Sequence, residues 1–313
     1  NGFPKVERPI ENRYELNERL ANLFESAMET LDKKLSYARY QAIAYLKPEA
    51  ANGLYDNAEL ISRSLAGIRK NGLVKRLESS FYAFQISLNN FRQANQNMID
   101  MFNRDKVFIA PDLDINNLLE AGLSDEEIEE KLNAKAEENP KNSVFKAEEF
   151  DPEYIELLQQ DQEILEKLYK DWEGITDEDD SKFAKFNELL KHELFKVERN
   201  PEQKLVVFSE SVDTVKYLER RINRKDVLVI SADNRSKLFK TIRENFDANY
   251  KTKLNKYNII LTTDVLAEGV NLHRDSQLRY TLEQYTSYAA HRPCEPYRFF
   301  IKAHIQLCVL SFA

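Results

Sequence analysis

Two patterns of apolar positions divide the chain near Pro201. Upstream of it, apolar residues recur every three or four positions, the spacing of one buried face of a helix. The most regular stripe consists of Val74, Leu77, Phe81, Phe84, Leu88 and Phe91. It predicts a single helix from about Leu73 to Phe102 whose apolar side packs in a core.

The other helices of the first 200 residues are predicted from the same spacing and from end signals. They cover residues 17–35, 37–46 and 124–136, a segment from Asp151-Pro152 to Trp172, and a segment opened by Ser181. Asp is a good N-cap, and Pro fits the first helical position. Residues 1–16 are predicted to be extended because Pro4 and Pro9 disfavour helix, and the acidic segment 104–150 to be poorly ordered.

Downstream of Pro201, short apolar runs alternate with amphipathic helices. Strands are predicted at 204–209, 227–230 and 258–262, and helices at 211–222 and 234–246. Continuous apolar strands separated by helices are typical of a parallel sheet covered on both faces. The predicted fold class is therefore α/β and predominantly helical, with a helical region at 17–200 followed by a parallel-sheet domain.

Composition narrows the class of protein. The 313 residues have a formal net charge of −8, and no apolar run reaches the roughly 18 residues of a membrane span. Cys294 and Cys308 are the only cysteines, and both lie in the tail, which excludes a disulfide framework and a structural zinc site. Because the chain starts with Asn1 rather than Met and shows no signal peptide, we expect a piece of a longer cytoplasmic protein.

The charge is unevenly distributed along the chain. Residues 1–110 sum to about +3, residues 111–200 to −16 and residues 201–313 to +5. The outer segments are suited to face an anionic partner such as nucleic acid, whereas the acidic middle would be repelled by it. The simpler interpretation of the acidic middle is a set of solvated helix faces.

Polar residues end three predicted strands. Ser209-Glu210-Ser211, Ser231 to Asn234, and Thr262-Thr263-Asp264 each stand where a strand gives way to a helix start. Ligands of open parallel sheets gather at this carboxyl edge, and helix starts also bind anions. The alternative for each strand end is ordinary N-capping by Ser, Thr, Asp or Asn. Capping is also the interpretation of the acidic run Asp177–Asp180, and no metal site is predicted.

The segments around the first and third strands resemble motifs of a known enzyme family. Residues 204–218, KLVVFSESVDTVKYL, resemble motif IV of superfamily-two helicases, and residues 259–272, IILTTDVLAEGVNL, resemble motif V. Residues 180–190 and 73–81 are similar to the lead into motif IV and to the helical insertion of the Swi/Snf-like bacterial branch. The resemblance implies a partial second RecA-like domain at 201–275 that follows a helical insertion.

The resemblance also implies roles for single residues. Thr262 and Thr263 would hydrogen-bond the backbone of a nucleic acid. The other implied positions are Ser209 and Ser211 near the surface that tracks the strand, Glu268 and Gly269 near the γ-phosphate and the attacking water, and Asp264 and Asn271 in the nucleotide cleft.

Basic residues near these motifs could supply charge for phosphates. Lys237 and Lys240 are the main candidates, and the others are Arg235, Arg243, Lys251, Lys253 and Lys256. A solvated basic face is the alternative for all of them.

The nucleotide-binding half of such an enzyme is missing from this sequence. A P-loop needs Gly-x-x-x-x-Gly-Lys-Ser/Thr, and the only glycines with that spacing, Gly67 and Gly72, are followed by Leu73-Val74. Asp125-Glu126 does not end a strand, so a magnesium-binding Asp-Glu motif is not expected either. ATP and Mg²⁺ therefore belong to the parent enzyme, with its first RecA-like domain, and not to this chain alone.

The function expected from the sequence is the C-terminal part of an ATP-dependent helicase or translocase that acts on nucleic acid, most simply DNA. The alternative is a non-enzymatic helical and α/β module that binds nucleic acid or protein. Another kind of nucleotide-binding enzyme would need a glycine-rich loop after the first strand, and Ser209-Glu210-Ser211 contains no glycine.

The tail departs from the helicase pattern. In the resembling family a strand and motif VI, Gln-Arg-x-Gly-Arg-x-x-Arg, follow motif V, and residues 276–296 show neither. Permitted codons can be chosen for residues 276–296 so that reading one nucleotide later gives VNYDTPWNSTRLMQRIGRVNR, which contains both. The freely chosen third base of each codon sets only the middle base of the shifted codon, and the other two bases are largely fixed by the protein sequence. We therefore expect residues 276–313 to be frame-shifted.

Sequencing the coding DNA tests the frame shift. We expect codons for Ser276 to Pro296 that yield the strand and motif VI when they are read one nucleotide later. Codons that are incompatible with the shifted reading would refute the frame shift.

Overall fold

The computed structural model describes residues 5–6, 12–51, 53, 57–110, 131, 139, 141–198, 200–209, 211–247, 249–266, 272, 278–281, 299–301 and 308–309. Its helices are α1 Glu18–Glu29, α2 Pro48–Ala51, α3 Ala58–Ser79, α4 Phe81–Asn103, α5 Pro152–Glu173, α6 Ser181–His192, α7 Val212–Ile222 and α8 Arg235–Phe246. Its strands are β1 Lys5–Val6, β2 Asn12–Tyr14, β3 Val107–Ile109, β4 Ser143–Phe145, β5 Leu205–Phe208, β6 Val227–Ile230, β7 Ile259–Thr262, β8 Leu278–Thr281, β9 Phe299–Ile301 and β10 Cys308–Val309.

The chain forms two compact units that are not consecutive in sequence. The sheet unit contains residues 1–22, 76–84 and 175–313, and the helical unit contains residues 23–75 and 85–174. The predicted boundary between the helical region and the sheet domain is near residue 200. The sheet unit also contains residues 1–22, 76–84 and 175–200, the last of which include α6, and residues 276–313.

The sheet unit is built on four parallel strands in the order β6-β7-β5-β8. Leu205 is paired with Ile259 on one side and with Leu278 on the other, which places β5 inside the sheet. Elsewhere in this unit, β1 pairs with β10 and β2 with β9, both antiparallel. The predicted parallel sheet of an α/β fold is confirmed.

The two faces of the sheet are covered by different helices. On one face, Val207 and Leu261 pack with side chains of α6 and α7, such as Phe186 and Leu218. On the other face, Val206, Ile260 and Leu228 pack with Ile242 and Phe246 of α8. Burial on both faces explains why each strand reads as a continuous apolar run.

A polar clamp joins the starts of β6 and β7. The guanidinium of Arg224 donates to both carboxylate oxygens of Asp226, at 2.8 and 2.6 Å, and Asn258 Nδ2 donates to Asp226 Oδ2 at 3.0 Å. The main-chain carbonyl of Asp226 accepts from the amides of Asn258 and Ile259. These donors hold the pKa of the Asp226 carboxyl below its usual value, with the Arg224 hydrogen bond as the main cause.

The helical unit has its own core around α4 and α5. Met98 and Phe102 of α4 pack with Phe150, Tyr154 and Leu158. Helix α5 begins as predicted, because Asp151 accepts a hydrogen bond from the amide of Glu153 and Pro152 takes the first position. The segment 104–150 is described only in part, and in it β3 and β4 pair antiparallel. The predicted helix at 124–136 lies outside the described residues apart from Lys131.

Two helix predictions in the first half of the chain are wrong in detail. Residues 37–46 form two short 3₁₀ turns instead of an α-helix. The cause is the buried carboxylate of Asp161, which accepts from the amides of Ser36 at 2.8 Å and Ala38 at 3.0 Å and so fixes a non-helical entry. Burial raises the pKa of the Asp161 carboxyl.

The predicted single helix over 73–102 is two helices. It begins earlier, at Ala58, and breaks at Ser80, whose Oγ accepts from the amide of Ala83 and starts α4. The start was missed because the apolar residues of the first turns of α3, Leu60 and Ile68 among them, are exposed and form no buried stripe.

The clamp at Asp226 gives a test of the sheet by pH. A carboxylate with a depressed pKa contributes stability above its unfolded pKa, and this contribution is lost as the pH falls through the folded value. Asp226→Asn should therefore cost about 1 kcal/mol of unfolding free energy at pH 7 and less below about pH 4. Urea unfolding between pH 7 and pH 3.5 measures both. Glu219→Gln, at an exposed position of α7, is the control, and equal losses in the two variants would contradict the clamp.

Candidate nucleic-acid interface

The carboxyl ends of β5 and β7 lie side by side in the sheet. Phe208 is in register with Thr262, and the amide of Ser209 donates to the carbonyl of Thr262 at 3.0 Å. Ser231 follows the neighbouring β6, whose last residue, Ile230, is also in register with Thr262. The sheet therefore brings together the three polar strand ends that the sequence singled out.

Ser209 and Ser211 face the interior of the unit. Both are buried, and the Ser211 Oγ accepts from the amide of Thr214 at 3.3 Å, as an N-cap of α7 does. The Ser209 Oγ accepts from the amide of Ser211 at 3.3 Å. N-capping, the alternative interpretation of these strand ends, accounts for Ser211, and neither hydroxyl is exposed at the surface.

A chain of hydroxyl groups continues from Ser209 to the break between α3 and α4. The Ser79 Oγ lies 3.2 Å from the Ser209 Oγ and 2.9 Å from the Thr214 Oγ1, and the Ser80 Oγ lies 3.0 Å from the same Thr214 oxygen. All four side chains are buried and belong to the sheet unit. We call Ser79, Ser80, Ser209 and Thr214 the hydroxyl cluster.

The side chain of Lys182 binds the end of α3 at the helix break. Its buried Nζ donates to the carbonyls of Glu78 at 2.9 Å and Ser79 at 2.8 Å, the last carbonyls of α3. A cation is favourable there, because the C-terminal end of a helix carries partial negative charge and carbonyls without a helical partner. Sequence reasoning missed Lys182, because a lysine one residue inside a helix start looks like a surface residue.

The two threonines at the end of β7, Thr262 in the strand and Thr263 after it, differ in exposure. Thr262 is fully buried, and its Oγ1 donates to the carbonyl of Thr263 at 3.0 Å. Thr263 is only half-buried and begins the turn into the 3₁₀ segment Asp264–Leu266. Of this pair, Thr263 is therefore the residue whose side chain reaches the surface of the edge. The side chain of Asp264, and residues Glu268, Gly269 and Asn271, lie outside what the structure describes.

Helix α8 begins at the same edge without a side-chain cap. The Asn234 side chain accepts from the amide of Ser231 at 2.9 Å and donates to the carbonyl of Val229 at 3.1 Å, so it closes the end of β6 instead. The first turn of α8 carries Arg235 and Lys237 and no acidic residue. Cations at a helix start oppose the helix dipole, so this end is suited to an anion such as phosphate.

Lys240 lies one turn further along α8 and is exposed. Its Nζ is 3.7 Å from the Glu244 carboxylate, a loose ion pair in solvent that leaves the ammonium accessible. Of the two lysines predicted to bind nucleic acid, Lys237 is thus the one nearer the carboxyl edge.

The acidic run before α6 is used for folding. Asp177 pairs with Arg220 at 2.8 Å and with Arg221 at 3.4 Å, Asp179 accepts from Thr176, and Asp180 caps the amide of Phe183. Burial raises the pKa of the Asp180 carboxyl. No cluster of three or more His, Cys, Asp or Glu suited to a metal ion occurs among the described residues.

Comparison with known protein families gives a match to one segment of the sheet unit. Residues 181–285 match the family model described as "Helicase conserved C-terminal domain". This segment is similar to a helicase C-terminal domain. The matched residues start at α6, include the carboxyl edge described above, and end four residues after β8.

Two solved structures are similar to this chain at low sequence identity. The Hef helicase domain of Pyrococcus furiosus is 16% identical with a TM-score of 0.36, and the match covers 90% of this chain and 50% of that one. The C-terminal part of the Fun30 ATPase domain is 15% identical with a TM-score of 0.32, over 89% of this chain and 76% of that one. This chain thus spans about half the length of the Hef chain. The comparison with curated proteins gave no match.

Among the residues that the structure describes, no helix has the length and apolar character needed to span a membrane.

The buried lysine gives a stability test of the helicase-like segment. Lys182→Met removes the donor of two buried carbonyls and should cost about 2 kcal/mol of unfolding free energy. Ser79→Ala should cost about 1 kcal/mol by opening the hydroxyl cluster. Urea unfolding measures both.

Lys185→Met is the matched control for the lysine. Lys185 lies in the same helix and pairs with Glu188 at 2.9 Å at the surface, so its loss should cost less than about 0.5 kcal/mol. A Lys182→Met variant as stable as this control would show that the buried contacts contribute nothing.

Proposed function

We propose that this chain is the C-terminal part of an ATP-dependent helicase or translocase that acts on DNA. The match of residues 181–285 to the helicase C-terminal domain carries this proposal. In the parent enzyme a first RecA-like domain would supply the P-loop, with ATP and Mg²⁺, and this chain would supply the second half of the cleft. The chain alone would neither bind ATP tightly nor hydrolyse it.

The arrangement of the carboxyl edge supports a role in binding the nucleic-acid backbone. The half-buried Thr263 follows β7, and the start of α8, which has no side-chain cap and carries Arg235 and Lys237, follows the adjacent strand β6. Hydroxyls, free main-chain amides at a helix start and cations are the groups that contact phosphates in proteins. Because Ser209, Ser211 and Thr262 are buried, they would hold this surface in position and would not contact the nucleic acid themselves.

Phosphoryl transfer by such an enzyme depends on groups placed from both sides of a cleft. By resemblance to motif V, Glu268 would be near the attacking water. Loss of a group that acts mainly in the transition state lowers the rate constant by orders of magnitude without unfolding the protein.

The test uses the full-length parent enzyme. Glu268→Gln and Thr263→Ala should each reduce DNA-stimulated ATP hydrolysis at least about tenfold, a barrier increase of about 1.4 kcal/mol, at unchanged thermal stability. Glu219→Gln, on the exposed outer side of α7, should retain full activity.

Two outcomes would overturn the proposed function. One is full activity of both edge variants. The other is a parent gene without an upstream P-loop, which would favour the alternative of a non-enzymatic interaction module.

A further inference from the structure

The segment between α8 and β7 presents three lysines at the amino edge of the sheet. Lys251, Lys253 and Lys256 are exposed, and Leu254 among them is 43% exposed. No carboxylate pairs with Lys251 or Lys253 among the described residues. We call residues 249–257 the lysine loop.

The end of the lysine loop is anchored by a buried amide. Asn245, only 1% exposed, accepts with its Oδ1 from the amides of Lys256 at 2.9 Å and Tyr257 at 3.1 Å. The amide of Leu254 donates to the carbonyl of Glu244 at 2.7 Å. The loop is thus tied back to the last turn of α8.

The beginning of the lysine loop is anchored by a buried carboxylate. One oxygen of Asp247 accepts from the amide of Asn249 at 2.9 Å, and the other accepts from Arg243 Nε at 3.1 Å. The Arg243 guanidinium in turn lies 4.6 Å above the Tyr250 ring. Two buried polar side chains therefore give a fixed shape to a segment whose charged residues are all lysines, which lowers the entropy lost on binding.

The lysine loop is far from the carboxyl edge. Because β6 and β7 are parallel, α8 runs back from the carboxyl edge to the amino edge, and its 12 residues span about 18 Å. A strand held at Thr263 and the start of α8 is therefore not in contact with Lys251 or Lys253 at the same point. The loop is a separate surface.

The chemistry of the lysine loop suits phosphates rather than bases. Its two aromatic rings are half-buried and each already contacts a cation, Tyr250 the Arg243 guanidinium at 4.6 Å and Tyr257 the Lys256 ammonium at 5.1 Å. Single strands bind largely by stacking bases on free aromatic rings, which the loop does not offer. Fixed lysines without such rings fit the regularly spaced phosphates of a duplex.

We propose that the lysine loop is a second DNA-binding surface, which contacts the backbone of double-stranded DNA away from the carboxyl edge. The proposal rests on the proposed function for the nature of the partner. It adds that the C-terminal domain contacts duplex at its amino edge, independently of the strand contacts near the nucleotide cleft.

Fluorescence anisotropy of a labelled 20-base-pair duplex with the complete 313-residue chain tests this surface. The variant with Lys251→Gln, Lys253→Gln and Lys256→Gln should bind at least about tenfold more weakly at ~50 mM salt. The slope of log affinity against log salt should fall by about 2 to 3, one unit for each lost phosphate contact. Binding of the matching single strand should change by less than about twofold.

Two further variants separate shape from charge. Lys185→Gln, Lys191→Gln and Lys216→Gln remove three surface lysines of α6 and α7, which cover the other face of the sheet, and should leave duplex binding unchanged. Thr252→Gly with Asn255→Gly loosens the lysine loop at constant charge, and should weaken binding about threefold with an unchanged salt slope.

Several results would overturn the proposal. One is an equal loss of duplex binding in the triple lysine variant of the loop and in the triple lysine control, and another is full duplex binding by the loop variant. The proposal would also fail if the unmodified chain did not bind duplex, or if the loop variant lost binding to phosphatidylserine vesicles and not to DNA. If the double variant Lys237→Gln, Thr263→Ala lost duplex binding and the lysine-loop variant did not, the proposed function would stand and the second surface would be refuted. The ATPase test in the parent enzyme decides the proposed function separately.

Discussion

The position of β5 inside a parallel sheet is the constraint on which the sheet unit depends. Leu205, Val206 and Val207 have no exposed surface, because strands flank them on both sides and helices cover both faces. In-register pairing then fixes where the strands end, so that Ser209 and Thr262 meet at a hydrogen bond of 3.0 Å. A slip of one residue in the pairing would move each strand's side chains to the opposite face and disrupt the packing against the helices. The packing of the core therefore determines the geometry of the carboxyl edge.

Most hydroxyl groups near that edge are engaged within the unit. The hydroxyl cluster joins Ser209 to the break between α3 and α4, and Thr262 donates to the next carbonyl. A buried hydroxyl without a partner would cost about 1–3 kcal/mol, so the fold needs these contacts. The groups left to meet a phosphate are the half-buried Thr263 and the start of α8, and the buried residues determine their position.

The sequence predicted the sheet unit well because its signals are local. Three apolar runs, the Ser211 cap and the helix starts all depend on neighbours along the chain, and each appears in the structure within about one residue. The break at Ser80 depends on Lys182 and Thr214, which are more than 100 positions away, and the 3₁₀ turns after Ser36 depend on Asp161. Such long-range contacts leave no periodicity, so the helical unit was predicted less accurately. At the candidate site, the sequence placed polar residues at neighbouring strand ends, as the structure has them, but it did not reveal which hydroxyls are buried.

The helix dipole has opposite effects on the cations at the two ends of α8. At its C-terminal end, the partial negative charge stabilises Arg243 and the nearby lysine loop, so the fold itself tolerates a cluster of positive charge there. At its start the dipole opposes Arg235 and Lys237, at a cost of about 0.3–1 kcal/mol each. The first turn of α8 contains neither a side-chain cap nor an acidic residue that would relieve this cost at Lys237. A bound anion would relieve it, so the start of α8 is the part of the carboxyl edge where the physical chemistry of the fold itself favours a phosphate.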